Sequence, residues 1–208
     1  SAAATLTLTS TTVTGLGMGN DDPAKGVEFH GIETLNIQLG SNNNTLLLKG
    51  SPANATTNII TGTGSNQIAV GTSAQATAGA LSNGESPNTG SSLEDILGSI
   101  VLIGSGTDVL NVDDTGSTGA KTGVLSATTL TGLGMGGGGI TYFGMAALTV
   151  ALGSGNDTLT ITSTTANPVQ ITGNGGADVF NVQATTGLVV LHGGSGADLR
   201  RTELEQWR

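Results

Sequence analysis

The sequence of 208 residues has no cysteine and few aromatic or basic residues. Without cysteine the chain can form neither a disulfide nor a thiolate metal site. One Trp, one Tyr and three Phe give little aromatic area to bury, so any core must be thin and aliphatic. Six Lys and Arg residues, against fifteen Asp and Glu, cannot form a phosphate-binding stripe, and we expect no nucleic-acid partner. The apolar runs are too short to cross a bilayer, so we expect no membrane insertion.

The chain is instead rich in glycine, with 35 residues, and many of these glycines lie in turns that recur. Between residues 148 and 198, three such turns close on aspartates spaced by about 20 residues, a period typical of coiled repeat proteins. Alignment of the turns along the chain gives six copies. Their last residues are Asn44, Asn66, Asp108, Asp157, Asp178 and Asp198.

Apolar residues form columns on both sides of these turns, with Thr, Asn or Gln between them. Apolar residues two apart indicate a strand with one buried face, so each coil is predicted to have one strand before its turn and one after it. The column before the turn contains Ile37, Ile59, Val101, Val150, Ile171 and Leu191. The two columns after it contain Leu46, Ile68, Leu110, Leu159 and Phe180, and Leu48, Val70, Val112, Ile161 and Val182.

The predicted fold class is therefore all-β. We expect a parallel β-solenoid (a β-helix or β-roll) with about 20–22 residues per coil and roughly ten stacked coils, because neither strand of a coil can bury its apolar face alone. A longer period is also present, since residues 13–19 recur at 130–136 and residues 26–40 at 139–153. This predicts one continuous solenoid over residues 1–198, made of two tandem repeats of about 113 residues each, at about 4–107 and 108–198.

Three segments depart from the regular pattern. Residues 4–14 alternate as one clean strand. Residues 74–97 read as a protruding loop insertion, and a capping-box pattern from Ser91 to Glu94 predicts a short helix within it; an additional, degenerate coil is the alternative. Residues 199–208 read as a non-repeat tail, because Arg200 occupies a column that is apolar in every earlier copy.

The glycine turns resemble the nonapeptide GGxGxDxUx of the repeats-in-toxin (RTX, hemolysin-type) calcium-binding family, in which U is a large apolar residue. The resemblance implies that turn carbonyls and aspartates bind Ca²⁺ between successive turns on one edge, a ligand set that suits this hard cation. The opposite edge has no aspartate, and the period exceeds the usual 18 residues of that family. The residues that would bind the metal are Gly153, Gly155, Asp157, Gly173, Gly176, Asp178, Gly194, Gly196, Asp198 and Asp108.

Two alternatives to a metal at these turns stay open. Asn44 and Asn66 replace the aspartates in the first two copies, so those coils are expected to stack as neutral amide ladders that need no metal. In the second alternative every glycine turn is only a turn, in which Asp or Asn serves local hydrogen bonding.

The leading functional hypothesis is a structural extracellular repeat segment, such as an adhesin stalk, a surface layer or a filament. The sequences of residues 131–142 and 152–158 resemble segments of very large secreted repeat proteins of bacteria, and this resemblance implies an extracellular or cell-surface location. The N-terminal strand has no polar cap, which predicts end-to-end self-association or continuation in a longer chain. The two histidines, His30 and His192, lie on strands in outward phase, and no residues converge on a catalytic arrangement, so we expect no enzyme activity.

The alternative function is recognition of ice or carbohydrate by a flat threonine-bearing face. Threonines alternate at Thr5, Thr7 and Thr9, and again at Thr158, Thr160 and Thr162. Glycosylation acceptor patterns also occur, at Asn43, Asn54 and Asn156, although chance matches are expected in a chain so rich in Asn and Thr.

Overall fold

The computed structural model describes residues 3–18, 25–75 and 90–202, and predictions made for the other residues lie outside this range. All regular elements of the described residues are strands, which form one 16-stranded, mostly parallel sheet. The all-β prediction is confirmed at this level. The strands are β1 (Thr5–Leu8), β2 (Thr12–Gly15), β3 (Gly26–Glu28), β4 (Thr34–Gln38), β5 (Thr45–Leu48), β6 (Thr56–Ile60), β7 (Gln67–Val70), β8 (Ser99–Asp113), β9 (Thr122–Leu125), β10 (Thr129–Gly132), β11 (Ile140–Ala151), β12 (Thr158–Ile161), β13 (Val169–Thr172), β14 (Val179–Val182), β15 (Val189–His192) and β16 (Leu199–Thr202).

In the first half of the chain, β1 to β8, the parallel strands form two ladders. One ladder runs β4–β6–β8, and the other runs β1–β5–β7–β8, with β8 long enough to join both. Pairing is in register, so Leu46 lies between Leu6 and Ile68, and Ile68 lies beside Leu110. All four side chains are fully buried. Stacking like apolar side chains in this way gives the aliphatic core that the columns predict.

The second half, β9 to β16, repeats these strand pairs. Its ladders run β11–β13–β15 and β9–β12–β14–β16, and each pair has a counterpart in the first half. The antiparallel pairs also recur, since β1–β2 and β2–β3 correspond to β9–β10 and β10–β11. Ladder partners therefore identify which residues of the two halves occupy equivalent positions.

The antiparallel pairs correct the prediction of one strand over residues 4–14. The segment forms a hairpin, in which Thr9–Thr11 turn the chain between β1 and β2. The side-chain oxygen of Thr9 accepts hydrogen bonds from the backbone N–H of Thr11 and of Thr12, at 3.3 and 3.0 Å. A threonine turn of this kind keeps the apolar alternation intact, which is why the pattern alone does not reveal the reversal.

The hairpin β1–β2 and its counterpart β9–β10 each end in a Gly-Leu-Gly turn. Leu16 and Leu133 have positive φ angles of 55° and 54°, a conformation that is rare for leucine. Each donates its backbone N–H to the facing strand, Leu16 to the carbonyl of Thr5 at 3.0 Å and Leu133 to that of Thr122 at 2.9 Å. The same unusual turn at equivalent positions shows that the repeated sequence produces repeated local structure.

The two halves join through β8 and β11, which pair in parallel along both of their parts. Val150 of β11 consequently lies beside Val112, a residue of the column after the turn. The alignment places Val150 in the column before the turn, and within the second half this is confirmed, since Val150 pairs with Ile171; only its place after Val101 is wrong. The column before the turn in the second half therefore continues the column after the turn in the first half.

Two predictions for residues 91–102 are wrong. Leu102, and not Val101, is the buried ladder partner of Ile59, since the turn that ends on Asp108 is one residue shorter than the others. Residues 91–97 form turns rather than a helix. Leu93 and Ile96 are fully buried there, and Ile96 forms a parallel bridge with Ser51, so this part of the predicted insertion belongs to the core. No helix in the described residues is long and apolar enough to cross a membrane.

Candidate functional site

The residues that end the glycine turns point inward and are buried. Asn44, Asn66, Asp108, Asp157 and Asp178 are at most 5% exposed, whereas Asp198 in the last coil is exposed. Five of the six directly precede a strand, whereas Asp108 lies within β8, and the pairing of these strands fixes the position of each residue. The structure arranges these residues in two separate series.

The first series consists of Asn44, Asn66 and Asp108. A side-chain oxygen of Asn44 accepts the N–H of Ala4, that of Asn66 accepts the N–H of Asn44, and that of Asp108 accepts the N–H of Asn66, at 3.2, 2.8 and 2.8 Å. The side-chain amides connect the same residues, from Asn44 to Asn66 at 3.1 Å and from Asn66 to Asp108 at 2.8 Å. The amide ladder predicted for the first two copies is therefore present, and it ends on a carboxylate.

The second series consists of Asp157, Asp178 and Asp198, preceded by Lys121. The carboxylate of Asp157 accepts the backbone N–H of Lys121, that of Asp178 accepts the N–H of Asp157, and that of Asp198 accepts the N–H of Asp178, at 2.7, 2.8 and 3.0 Å. Every side chain thus satisfies a backbone donor of the coil before it. We call each series an Asx ladder.

The Asx ladder also explains why glycine is needed earlier in the turn. A Cβ atom placed on Gly173 would lie 2.2 Å from an oxygen of Asp178, and one placed on Gly193 would lie 2.2 Å from an oxygen of Asp198. Real Cβ atoms do not approach an oxygen this closely, so the carboxylate occupies the space that a side chain would fill. The pairing of glycine and aspartate in the sequence follows from this contact.

Burial sets the electrostatics of the second ladder. Burial, together with the neighbouring carboxylates of Asp157 and Asp198, raises the pKa of the Asp178 carboxyl to about 6. Burial also raises the pKa of Asp157, against the lowering effect of the hydrogen bonds from Lys121 and Gly153. One oxygen of Asp178 is buried without a hydrogen-bond partner among the described residues. The ionised form of this residue is therefore costly in the folded chain.

The predicted calcium ligands are only partly brought together. Asp157, Asp178 and Asp198 follow one another in one ladder, but Asp108 ends the other ladder. In the described part of the chain, no three His, Cys, Asp or Glu side chains form a group that could hold a metal ion. The three aspartates and the nearby turn carbonyls are all oxygen donors, which suits Ca²⁺. A bound ion would have to share carboxylate oxygens that already accept backbone N–H groups.

Sequence reasoning missed two residues near this site. Lys121 supplies the first backbone donor of the second ladder, and its ammonium group pairs with Glu94. Asp114 is fully buried, and one of its oxygens accepts hydrogen bonds from the N–H of Leu93 and the hydroxyl of Ser117. Burial raises the pKa of Asp114 to about 6. A backbone donor carries no sequence signal, and Asp114 lies outside the recurring glycine turns.

The other predicted surface features are dispersed. His30 contacts Glu28 at 3.0 Å, and both are exposed. Thr158 and Thr160 of β12 lie beside Val179 and Asn181 of β14, so a threonine row is not continued there.

Two of the glycosylation-pattern asparagines already make contacts between coils. Asn43 accepts the N–H of Ser65 at 2.9 Å, and Asn156 accepts that of Ala177 at 2.8 Å. These bonds run parallel to the Asx ladders, on the exposed side of the turns.

Comparison with protein-family models, with curated proteins and with solved structures finds no match to this chain.

Proposed function

We propose that the chain is a structural repeat segment of an extracellular or cell-surface protein, in which stacked coils form a stiff β-solenoid. The observation that carries this proposal is the continuity of the parallel strand pairing along the described chain, with one Asx ladder in each half. Both satisfy backbone groups between coils, and the core between them is a column of aliphatic side chains. Such an arrangement resists bending and suits a stalk, a surface layer or a filament.

Electron microscopy of the native material tests this proposal. Rods or fibres whose width matches one coil are expected, because each further coil adds only to the length of the stack. Compact, isolated particles without any extended assembly would contradict it. Immunolabelling of intact cells with antibody to the chain tests the location, and labelling only after the cells are opened would contradict an extracellular role.

Calcium binding to the Asp157–Asp178–Asp198 ladder is the second part of the proposal. Like charges in neighbouring coils lie about 5 Å apart, and a divalent cation would remove both this repulsion and the cost of the buried carboxylate of Asp178. An ion would lie between two neighbouring coils, held by the carboxylates of those coils together with adjacent turn carbonyls, and it would screen their charge. The similarity of these turns to the RTX nonapeptide points in the same direction.

Calorimetric titration of Ca²⁺ into chelator-treated protein is the test. Binding is expected at or below millimolar calcium, the range of extracellular calcium modules. Asp178→Asn is the matched variant, because Asn66 holds the equivalent position in the first half, and it should weaken binding without loss of fold. Absence of heat at millimolar calcium in the unmodified chain would overturn this part and leave the structural role in place.

A further inference from the structure

The two ends of the sheet have open edges that match the internal junction between the halves. Among the described residues, β3 pairs only with β2 and β4 only with β6, while β15 pairs only with β13 and β16 only with β14. Their counterparts at the junction, β11 and β8, pair with each other. We call the two open edges the β3–β4 edge and the β15–β16 edge.

The β3–β4 edge exposes positions that are buried at the junction. Val27 corresponds to Ile140, because the first pairs with Val13 and the second with Leu130 in the repeated hairpins. Val27 is 55% exposed, whereas Ile140 is fully buried against β8. Asn36 is likewise exposed, whereas its counterpart Thr149 is buried. This difference in exposure is the one expected if the β3–β4 edge lacks a covering strand such as β8, which covers β11 at the junction.

The β15–β16 edge shows the same difference at the other end. Ile100 and Leu102 of β8 are fully buried, whereas their counterparts Val189 and Leu191 are only partly buried. Leu199 is 42% exposed. An open apolar groove at this end is lined by Phe180, Val182, Leu188, Val189, Leu191 and Leu199. Covering such a surface is favourable, since each Å² of apolar area removed from water contributes about 25 cal/mol.

The charged residues of the two edges differ in sign, although the junction register does not pair them directly: Arg200 would lie beside Leu35 and Arg201 beside Asn36. Glu28 and Glu33 lie exposed on the β3–β4 edge, and Arg200 and Arg201 lie exposed on the β15–β16 edge. The counterparts of these four positions at the junction are uncharged: Thr141, Ala146, Leu110 and Asn111. Because these positions are charged at the two ends and uncharged at the junction, long-range attraction favours the approach of one end to the other over the approach of two identical ends.

We propose that the β15–β16 edge binds the β3–β4 edge of a second copy of this chain, in the parallel register that β8 and β11 adopt within the molecule. The inference rests on the proposed structural role and names its partner and contact surface. The interface is head-to-tail, so each bound copy presents a new free edge, and the assembly grows as a filament unless its rotation closes a ring. The backbone pairing is the strand addition by which sheet edges commonly recognise one another.

The internal junction fixes the register of this contact. Ala147 pairs with Val109 and Thr149 with Asn111 in the β8–β11 pair. Thr34 and Asn36 are the counterparts of Ala147 and Thr149, and Leu199 and Arg201 are the counterparts of Val109 and Asn111. In the contact between two copies, Thr34 should therefore lie beside Leu199 and Asn36 beside Arg201. All four residues are exposed, so each can be substituted without disturbing the core.

Disulfide trapping between copies tests the register directly, because the chain has no cysteine of its own. The variants are Thr34→Cys, Asn36→Cys, Leu199→Cys and Arg201→Cys, and one copy in each mixture carries a tag. Directly paired residues of neighbouring strands lie about 4.8 Å apart, within the reach of a disulfide. A shift of two residues raises this to about 8 Å, beyond that reach.

Oxidation should yield heterodimer in the matched mixtures, 34 with 199 and 36 with 201. The mismatched mixtures, 34 with 201 and 36 with 199, should yield no disulfide-linked heterodimer. Circular dichroism of each variant verifies that it is folded. Equal yields in matched and mismatched mixtures, or no heterodimer in any of them, would overturn the inference.

Light scattering of the unmodified chain gives a second readout that needs no substitution. Mass should grow with concentration and fall at high salt, because salt screens the charges at the two edges. A mass that stays monomeric over the whole range would contradict the inference.

Failure of this inference is distinguishable from failure of the proposed function. Native fibres, together with equal disulfide yields in the matched and mismatched mixtures, would support the structural role and reject this interface. Specific trapping of the matched pairs, without rods or fibres in native material, would retain the interface and reject the structural role.

Discussion

At the scale of single residues, the same position of the coil is filled by asparagine in the first two copies and by aspartate in the later ones. Asn66 and Asp178 each accept the backbone N–H of the residue one coil earlier, at 2.8 Å in both cases. Asn66 also donates its amide to Asp108, whereas one oxygen of Asp178 has no partner among the described residues. The acceptor is what the fold requires here, and the charge is an additional property.

Replacement of Asp178 by asparagine should therefore stabilise the calcium-free protein at pH 7. The new amide keeps the acceptor for the N–H of Asp157 and can donate to Asp198, so a gain of about 1–3 kcal/mol in the free energy of unfolding is expected. Asp178→Ala leaves that N–H unsatisfied and should lose a similar amount. Urea unfolding of the three proteins in chelator gives the comparison. Equal losses for the two variants would show that the carboxylate itself stabilises the fold.

The raised pKa values of Asp178 and Asp114, both about 6, predict an unusual pH dependence. The folded state holds these protons more tightly than the unfolded chain, whose carboxyl pKa is near 3.8. Stability should thus increase as the pH falls from about 7 through 6 towards 4, the opposite of the usual behaviour of aspartate. Thermal unfolding of chelator-treated protein between these pH values measures this. A melting temperature that falls steadily with pH would contradict it, and bound calcium should reverse the trend.

At the scale of elements, apolar alternation identified most of the strands, because a half-buried strand needs an apolar residue at every second position. The reversal at Thr9–Thr11 was missed, since a turn made by threonine side chains leaves the alternation unbroken. The register at Leu102 was missed because one turn is a residue shorter, and a shift of one residue moves every side chain to the other face.

The candidate site was predictable only in part, for a related reason. The glycine turns identified which residues end each coil, and they anticipated the amide ladder of Asn44 and Asn66. The main partners of the aspartates are backbone N–H groups, such as that of Lys121. A backbone donor is independent of residue type, so no sequence pattern reveals it. Which two coils become neighbours at the junction depends on the intervening hairpin and is likewise absent from the columns.

The corrected register at Leu102 makes a prediction of its own. Leu102→Ala should destabilise the protein by about 2–5 kcal/mol, because it removes fully buried apolar atoms from the column of Ile59. Val101→Ala on the partly exposed face should cost about 1 kcal/mol or less. Chemical denaturation of both variants decides between the registers. The reverse order of the two effects would restore the register of the sequence alignment.

At the scale of the whole molecule, the two halves are held together by one long strand pair. β8 pairs with β6 and β7 on one side and with β11 on the other, so it lies at the centre of the sheet. β3, β4, β15 and β16 lie at the ends, and each has a single partner strand among the described residues. Stability in stacked repeats is a sum of contributions from neighbours, so strands with one neighbour should open before strands with two.

Hydrogen exchange measured by mass spectrometry tests this gradient and connects it to assembly. In dilute solution, amides of β8 and β11 should exchange slowest, while those of β3, β15 and β16 exchange fastest, because only the former have partner strands on both edges. At concentrations where copies associate, protection should rise at β3–β4 and at β15–β16 together, since one edge covers the other. A rise confined to one end would indicate contact between identical edges. Uniform exchange along the chain would mean that the molecule opens as a single cooperative unit, and the opening of the ends would then not be a separate step.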